Sequence, residues 1–128
     1  MSNHGSFYWN ELMTRDPEVA KAFYEKTLGW TFQAMLAAAG PTYWVAYSKG
    51  KAVGGIFDMS APEFAGIGEQ WMPYVAVDKV DKAVATATKS GATTLRPLID
   101  IDGIGRIAIV RDKVGALLGL ISPVAPRG

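Results

Sequence analysis

The feature of this sequence that most limits its fold is an internal repeat. A tryptophan, an aspartate and a glycine each recur at one offset of 62 positions, in the pairs Trp9 and Trp71, Asp16 and Asp78, and Gly29 and Gly91. A fixed period of this length indicates two copies of one supersecondary unit that bury their apolar faces together.

The pattern around these pairs predicts the same elements in both copies. The run from Phe7 to Thr14 reads as a strand, and Asp16-Pro17 has the form of a helix start, which Gly29 ends. Three shorter β-like runs follow, separated by glycine-containing turns. In the second copy we expect a strand over 73–77, a helix capped by Asp78, and runs near 94–98, 106–110 and 116–122. The sequence therefore predicts an α+β fold of two tandem βαβββ repeats. They form a single domain over 1–128, with repeat one at about 6–59, a linker at 60–70 and repeat two at about 71–122.

Composition excludes several kinds of chemistry. The chain of 128 residues has no cysteine, which rules out disulfides, thiolate catalysis and cysteine-based metal sites. A net charge of +1 argues against nucleic-acid or membrane binding driven by bulk charge. No secretory pattern opens the sequence, and its apolar runs are far shorter than the ~20 residues of a membrane span. We expect a soluble, cytoplasmic protein.

The spacing of Asp16, Phe23-Tyr24 and Leu28-Gly29-Trp30 resembles the D-x6-FY-x3-LG-aromatic signature of the vicinal oxygen chelate superfamily. This superfamily includes glyoxalase I, extradiol dioxygenases, fosfomycin-resistance enzymes and bleomycin-binding proteins. The resemblance extends from about 7 to 122. It implies the glyoxalase/bleomycin-resistance fold, in which the repeats curl a mixed sheet around a cleft, and it implies a homodimer.

The resemblance also locates the metal site of the metal-dependent members, which use one position on the first and last strand of each repeat. Carried over by spacing, these positions are Trp9, Gly55, Met72 and Gly119. None of these side chains is a donor for a hard or borderline metal ion. We therefore predict no bound metal and no cofactor.

Strand alternation predicts what lines the cleft instead. Trp9 and Glu11 share one face of the first strand, and the two glycines leave space where the family has carboxylates. The predicted pocket is apolar and aromatic, with Glu11 and Tyr74 as its main polar groups. The ligand-binding candidates are Trp9, Glu11, Gly55, Phe57, Met72, Tyr74 and Gly119. The facing of the Tyr43 to Tyr47 strand stays open.

Glu11 is the candidate catalytic residue, and it has two interpretations. A carboxylate between apolar side chains resists ionisation and suits a general acid or base. Alternatively, Glu11 pairs with Arg106 or Arg15 and only satisfies the interior. Tyr74 likewise either contacts a ligand or packs in the core with its hydroxyl satisfied.

Three functions follow from these features. The preferred one is a metal-free protein that binds a small molecule in an apolar aromatic cleft. The alternative is a lyase- or isomerase-like enzyme that acts on a small carbonyl compound with Glu11 as acid or base. A third is an interaction module with a large exposed apolar patch. The sequence does not identify the ligand, and it leaves open whether the cleft lies within one chain or across a dimer.

Overall fold

The computed structural model describes residues 4–35 and 41–124, and its elements run in the predicted order. They are β1 (Phe7–Thr14), α1 (Pro17–Leu28), β2 (Thr31–Met35), β3 (Tyr43–Ser48), β4 (Lys51–Asp58), a 3-10 turn (Pro62–Phe64), β5 (Gln70–Ala76), α2 (Val80–Lys89), β6 (Thr93–Ile101), β7 (Gly105–Arg111) and β8 (Leu117–Pro123). The predicted α+β fold with two βαβββ units is confirmed.

The eight strands form one mixed sheet in the order β2-β3-β4-β1-β5-β8-β7-β6. Within each unit the first and last strands pair in parallel, β1 with β4 and β5 with β8. The two units join where β1 pairs antiparallel with β5. Because every strand comes from one chain and the sheet curls on itself, its concave face is formed within a single chain.

The two faces of the sheet carry two separate cores. On β7, Ile107 and Ile109 belong to the core of the concave face, whereas Ala108 and Val110 pack with α2 on the outer face. This alternation is expected of a strand buried on both sides. The same cores show which way β3 faces, a point that the sequence left open. Tyr43, Val45 and Tyr47 of this strand lie on the concave face.

The two helices begin differently. The Asp16 carboxylate accepts the Val19 N–H at 3.1 Å and caps α1 as predicted. In α2 the N-cap is Lys79, without a side-chain cap, so the prediction that Asp78 caps this helix is wrong. The N–H of Val80 donates instead to the Ser122 hydroxyl at 2.8 Å. A tertiary contact with β8 thus replaces the local cap, and the helix starts one residue later than the repeat predicts.

Helix α1 buries none of its side chains within the part of the chain that the structure describes. Val19 is 64% exposed and Phe23 is 57% exposed, so these two apolar side chains of the helix are not covered. On its inner side, the Lys21 ammonium lies 3.2 Å from the centre of the Trp44 ring. In residues 4–35 and 41–124 no helix has the length and apolar character needed to span a membrane.

Candidate functional site

The centre of the concave face is built from four side chains of the two central strands. In the antiparallel pairing of β1 with β5, Trp9 lies opposite Tyr74 and Glu11 lies opposite Met72. Cross-strand partners share a face, as do residues two apart on one strand, so all four point to the concave side. We call these four residues the floor of the concave face.

Two tyrosine rings fill the space over Gly55 and Gly119, the glycines next to the floor. Gly55 lies opposite Glu11 in the β1–β4 register, and Gly119 lies opposite Tyr74 in the β5–β8 register. A Cβ atom at Gly55 would overlap the Tyr43 ring and hydroxyl, and one at Gly119 would overlap the Tyr74 ring. The expectation that the glycines leave open space is therefore wrong, because each makes room for a phenol ring.

The Glu11 carboxylate, which is 0% exposed, is held by two polar partners. The Tyr74 hydroxyl donates to Oε2 at 2.6 Å, and Nη1 of Arg96 lies 3.2 Å from both carboxylate oxygens. The same Nη1 also donates to the Tyr74 hydroxyl at 3.1 Å. Glu11 therefore does not stand alone among apolar groups, because an arginine and a phenol satisfy it.

The partners that the sequence suggested for Glu11 lie elsewhere. Arg106 pairs with Asp81 and Asp100 on the surface. Arg15 pairs with Glu69. The interpretation of Glu11 as one half of an ion pair is confirmed, but both suggested partners are wrong.

Arg96, which sequence reasoning did not single out, reaches the floor from the far edge of the sheet. It lies on β6, four strands away from β1, a distance of about 19 Å in a flat sheet. Only the curl brings this edge over the centre, where Arg96 is 4% exposed and its guanidinium lies 3.6 Å from the centre of the Phe57 ring. The one available signal was an arginine directly after the apolar Leu95 in a predicted strand.

Tyr43 is the second residue whose role the sequence left undecided. Its ring is fully buried, and its hydroxyl accepts the indole N–H of Trp9 at 2.9 Å. This contact fixes the orientation of the Trp9 side chain, which stays partly exposed.

Burial determines the protonation states of the site. It raises the pKa of Tyr43 and of Tyr74 well above the ordinary value, and the nearby Glu11 charge raises both further. Burial alone would lower the pKa of Arg96, but the Glu11 charge and the two tyrosines raise it overall. At neutral pH the phenols are therefore protonated donors and the guanidinium is charged.

The predicted ligand-binding residues thus lie together on one face, at two depths. Glu11, Met72 and Tyr74 are fully buried, whereas Trp9 and Phe57 are partly exposed above them. Gly55 and Gly119 lie beneath the tyrosine rings. The role of these residues in binding stays a prediction.

With this geometry established, comparisons with known proteins identify the family. The model of the "Glyoxalase/Bleomycin resistance protein/Dioxygenase superfamily" matches residues 7–120. The chain belongs to this superfamily. It is also 36% identical over 119 residues to the protein named "Putative glyoxylase CFP32" in Mycobacterium bovis and Mycobacterium tuberculosis, which covers 93% of this chain. The matched region spans only 44% of the length of those relatives.

Solved structures support the superfamily fold. Methylmalonyl-CoA epimerase from Mycobacterium tuberculosis superposes with a TM-score of 0.65 at 16% identity, covering 98% of this chain and 92% of the epimerase. The hypothetical protein BH1468 from Bacillus halodurans gives a TM-score of 0.67 at 10% identity, covering 96% and 97%. At these identities the likeness concerns the fold alone.

The four positions that correspond to the metal ligands of metal-dependent members do not fit a metal ion in this chain. Trp9, Gly55, Met72 and Gly119 supply no oxygen or imidazole donor, and the oxygens of Glu11 already accept from Arg96 and Tyr74. Within residues 4–35 and 41–124, no three His, Asp or Glu side chains are grouped to hold a metal ion.

The glycine–tyrosine packing predicts the effect of a single added methyl group. Gly119→Ala should lower the free energy of unfolding by about 1–3 kcal/mol, because hydrogen bonds to Glu11 and Arg96 prevent the Tyr74 ring from moving away. Gly68→Ala is the control, since nothing lies within 4 Å of its added Cβ. Urea unfolding measures both, and equal effects would contradict the proposed packing.

The Glu11–Arg96 pair predicts strong coupling in a double-mutant cycle. Each single variant, Glu11→Gln and Arg96→Met, leaves one buried charge without its partner. Each should therefore lower the free energy of unfolding by about 3–5 kcal/mol. The double variant should lose much less than the sum of the two, because no unpaired charge remains. Asp81→Asn with Arg106→Met, an exposed ion pair, should show much weaker coupling. Additive losses at Glu11 and Arg96 would show that the pair does not form.

The buried phenols predict a loss of stability in alkali. The pKa of Tyr43 and of Tyr74 is raised on folding. The stability that the protonated phenols contribute is therefore fully present below the unfolded-state pKa of about 10, and it is lost as pH rises through the folded-state pKa. The free energy of unfolding should therefore fall above about pH 10, and Tyr43→Phe should make the fall less steep. Tyr8→Phe, at an exposed position, should leave the slope unchanged. Identical slopes in all three proteins would contradict this assignment.

Proposed function

We propose that this chain is a metal-free small-molecule-binding protein that holds a flat, largely apolar ligand on the concave face of its sheet. The observation that carries the proposal is the contact of Glu11 with Arg96 and Tyr74. It places a guanidinium beside the one carboxylate of the floor. The polar centre of the cleft is thus complete without a metal ion.

The surroundings of the floor support an apolar, aromatic ligand. Around the buried Glu11, Met72 and Tyr74, several apolar side chains pack against the core while remaining partly exposed. Among them are Trp9, Tyr47, Phe57, Leu95 and Leu117. Small-molecule sites combine such walls with a few fixed polar groups. The rings of Trp9 and Phe57 are held in place by contacts with Tyr43 and Arg96.

A fluorescent probe tests this proposal. N-phenyl-1-naphthylamine is flat, neutral and apolar, and its emission should rise when it enters the cleft. Phe57→Leu keeps most of the volume but loses the ring, so it should weaken binding by about threefold or more. Val114→Ala is the control, because Val114 is an apolar residue exposed in the β7–β8 turn.

Metal dependence is tested in the same assay. Dialysis against EDTA should leave probe binding unchanged, and elemental analysis should find no stoichiometric transition metal. One equivalent of metal whose removal abolishes binding would overturn the proposal. Probe binding that is unaffected by Phe57→Leu would place the site elsewhere.

An isomerase- or lyase-like enzyme with Glu11 as acid or base is the second candidate. The observation that favours it is the 2.6 Å hydrogen bond between Tyr74 and Glu11, through which a proton can pass. Against it, the Glu11 carboxylate is fully buried, and both of its oxygens already accept hydrogen bonds from Arg96. The epimerases among the similar folds give this candidate its test substrate.

Proton exchange distinguishes an enzyme from a binding protein. A binding protein should not exchange the α-hydrogen of methylmalonyl-CoA for deuterium in D2O faster than buffer does. Exchange that is catalysed by the parent and lost in a folded Glu11→Gln variant would establish the second candidate. The NMR signal of the α-hydrogen follows the reaction directly.

We further propose that the chain forms a homodimer, in a cytoplasmic location and without nucleic-acid partners. The net charge of +1 supports the last point, and the exposed Val19 and Phe23 of α1 support the dimer. Neither side chain is covered within the described part of the chain, so a second copy would remove both from water.

Light scattering tests the dimer. The parent should have twice the chain mass of 13.7 kDa at micromolar concentration. Phe23→Glu should shift the protein towards the monomer by placing a charge on the apolar face of α1. Lys51→Glu, at the exposed start of β4, is the charge-changing control and should remain dimeric. A monomeric parent protein would contradict the prediction.

A further inference from the structure

Arg96 uses only one of its three nitrogens within the described part of the chain. Nη1 makes all the hydrogen bonds to Glu11 and Tyr74, whereas Nε and Nη2 donate to no described residue. No fully buried side-chain nitrogen or oxygen in the described chain lacks a partner. The two free nitrogens must therefore reach accessible space, although the side chain as a whole is 5% exposed.

The accessible edge of Arg96 lies among apolar groups. Its guanidinium is stacked on Phe57, and two apolar residues of the same strand, Leu95 and Ile99, are partly buried in the same core. Hydrogen-bond donors are strongest where they are fixed and poorly hydrated. The stack on Phe57 and the ion pair to Glu11 hold this edge in one orientation.

The charge balance determines which acceptor suits this edge. Glu11 already neutralises Arg96, so the buried pair has no net charge. A ligand carboxylate or phosphate would bring an additional, unbalanced negative charge into a poorly hydrated site. A neutral carbonyl oxygen accepts from the two free N–H groups without that cost.

We propose that Arg96 is a ligand-anchoring residue, whose Nε and Nη2 bind the carbonyl oxygen of a flat neutral ligand that lies against Phe57. This inference rests on the proposed function and narrows it to one class of ligand. It assigns to Arg96 the polar contact with the ligand that Glu11 and Tyr74, both 0% exposed, are too deeply buried to make.

Three naphthalenes of nearly equal size test the proposal. They are 2-acetylnaphthalene with a neutral carbonyl, 2-ethylnaphthalene with no acceptor, and 2-naphthoate with a carboxylate. Calorimetry should show 2-acetylnaphthalene binding about tenfold or more tightly than 2-ethylnaphthalene, as expected for a hydrogen bond from a charged donor. The carboxylate should also bind more weakly than the ketone.

Two further measurements connect this preference to Arg96. In the unmodified protein, the Nε–H resonance of Arg96 should shift on titration with 2-acetylnaphthalene and not with 2-ethylnaphthalene. Arg96→Lys keeps a cation for Glu11 but removes the second nitrogen, so it should erase the preference for the ketone. Arg106→Lys, in an exposed ion pair, should preserve the preference for the ketone. The Nε–H resonance that disappears in Arg96→Lys and remains in Arg106→Lys is that of Arg96.

The outcomes separate this inference from the proposed function. If 2-ethylnaphthalene binds as tightly as the ketone, or the Arg96 resonance does not shift, the anchor is overturned while an apolar binding cleft stands. Tightest binding of 2-naphthoate would also overturn it, because the site would then favour an anion. If none of the three probes binds, both the anchor and the proposed function are contradicted.

Discussion

The Glu11–Arg96 contact is the interaction on which the arrangement of this cleft depends. It joins a strand at the centre of the sheet to a strand at its edge, and the two residues are 85 positions apart in the sequence. Two charges are buried only when they satisfy one another, so the pair constrains the curl that brings β6 over β1. Tyr74 strengthens this constraint, because its hydroxyl bonds both members of the pair.

The same contact puts a fixed cation beside a carboxylate on the concave face, the face that carries the metal ion in metal-dependent members of the superfamily. A catalytic metal ion keeps a coordination position open for substrate and is lost to chelators. A guanidinium is covalently part of the chain and stays charged at physiological pH. Here it uses one nitrogen to neutralise Glu11 and leaves a planar edge for another acceptor. A fixed cation thus lies on a face whose four carried-over positions, Trp9, Gly55, Met72 and Gly119, have no oxygen or imidazole donor.

Local patterns predicted much of the fold and part of the site. The repeat and the capping sequence gave the correct element order, and strand alternation put Trp9, Glu11, Met72 and Tyr74 on one face. The predicted start of α2 was wrong because the Val80 N–H donates to Ser122, which lies far along the chain. Capping rules consider only residues close in sequence, whereas Val80 and Ser122 are 42 positions apart.

Two determinants of the site were therefore decided by different levels of structure. The sequence by itself determined that four central strand positions carry no metal donors and that Glu11 points inward, because both depend on residue type and a period of two. Only the tertiary structure decided that Arg96 pairs with Glu11 and that Tyr43 and Tyr74 fill the space over Gly55 and Gly119. The first contact depends on how far the sheet curls, and the other two depend on the register between neighbouring strands. The curl is a property of all eight strands packed together, and no local pattern specifies it.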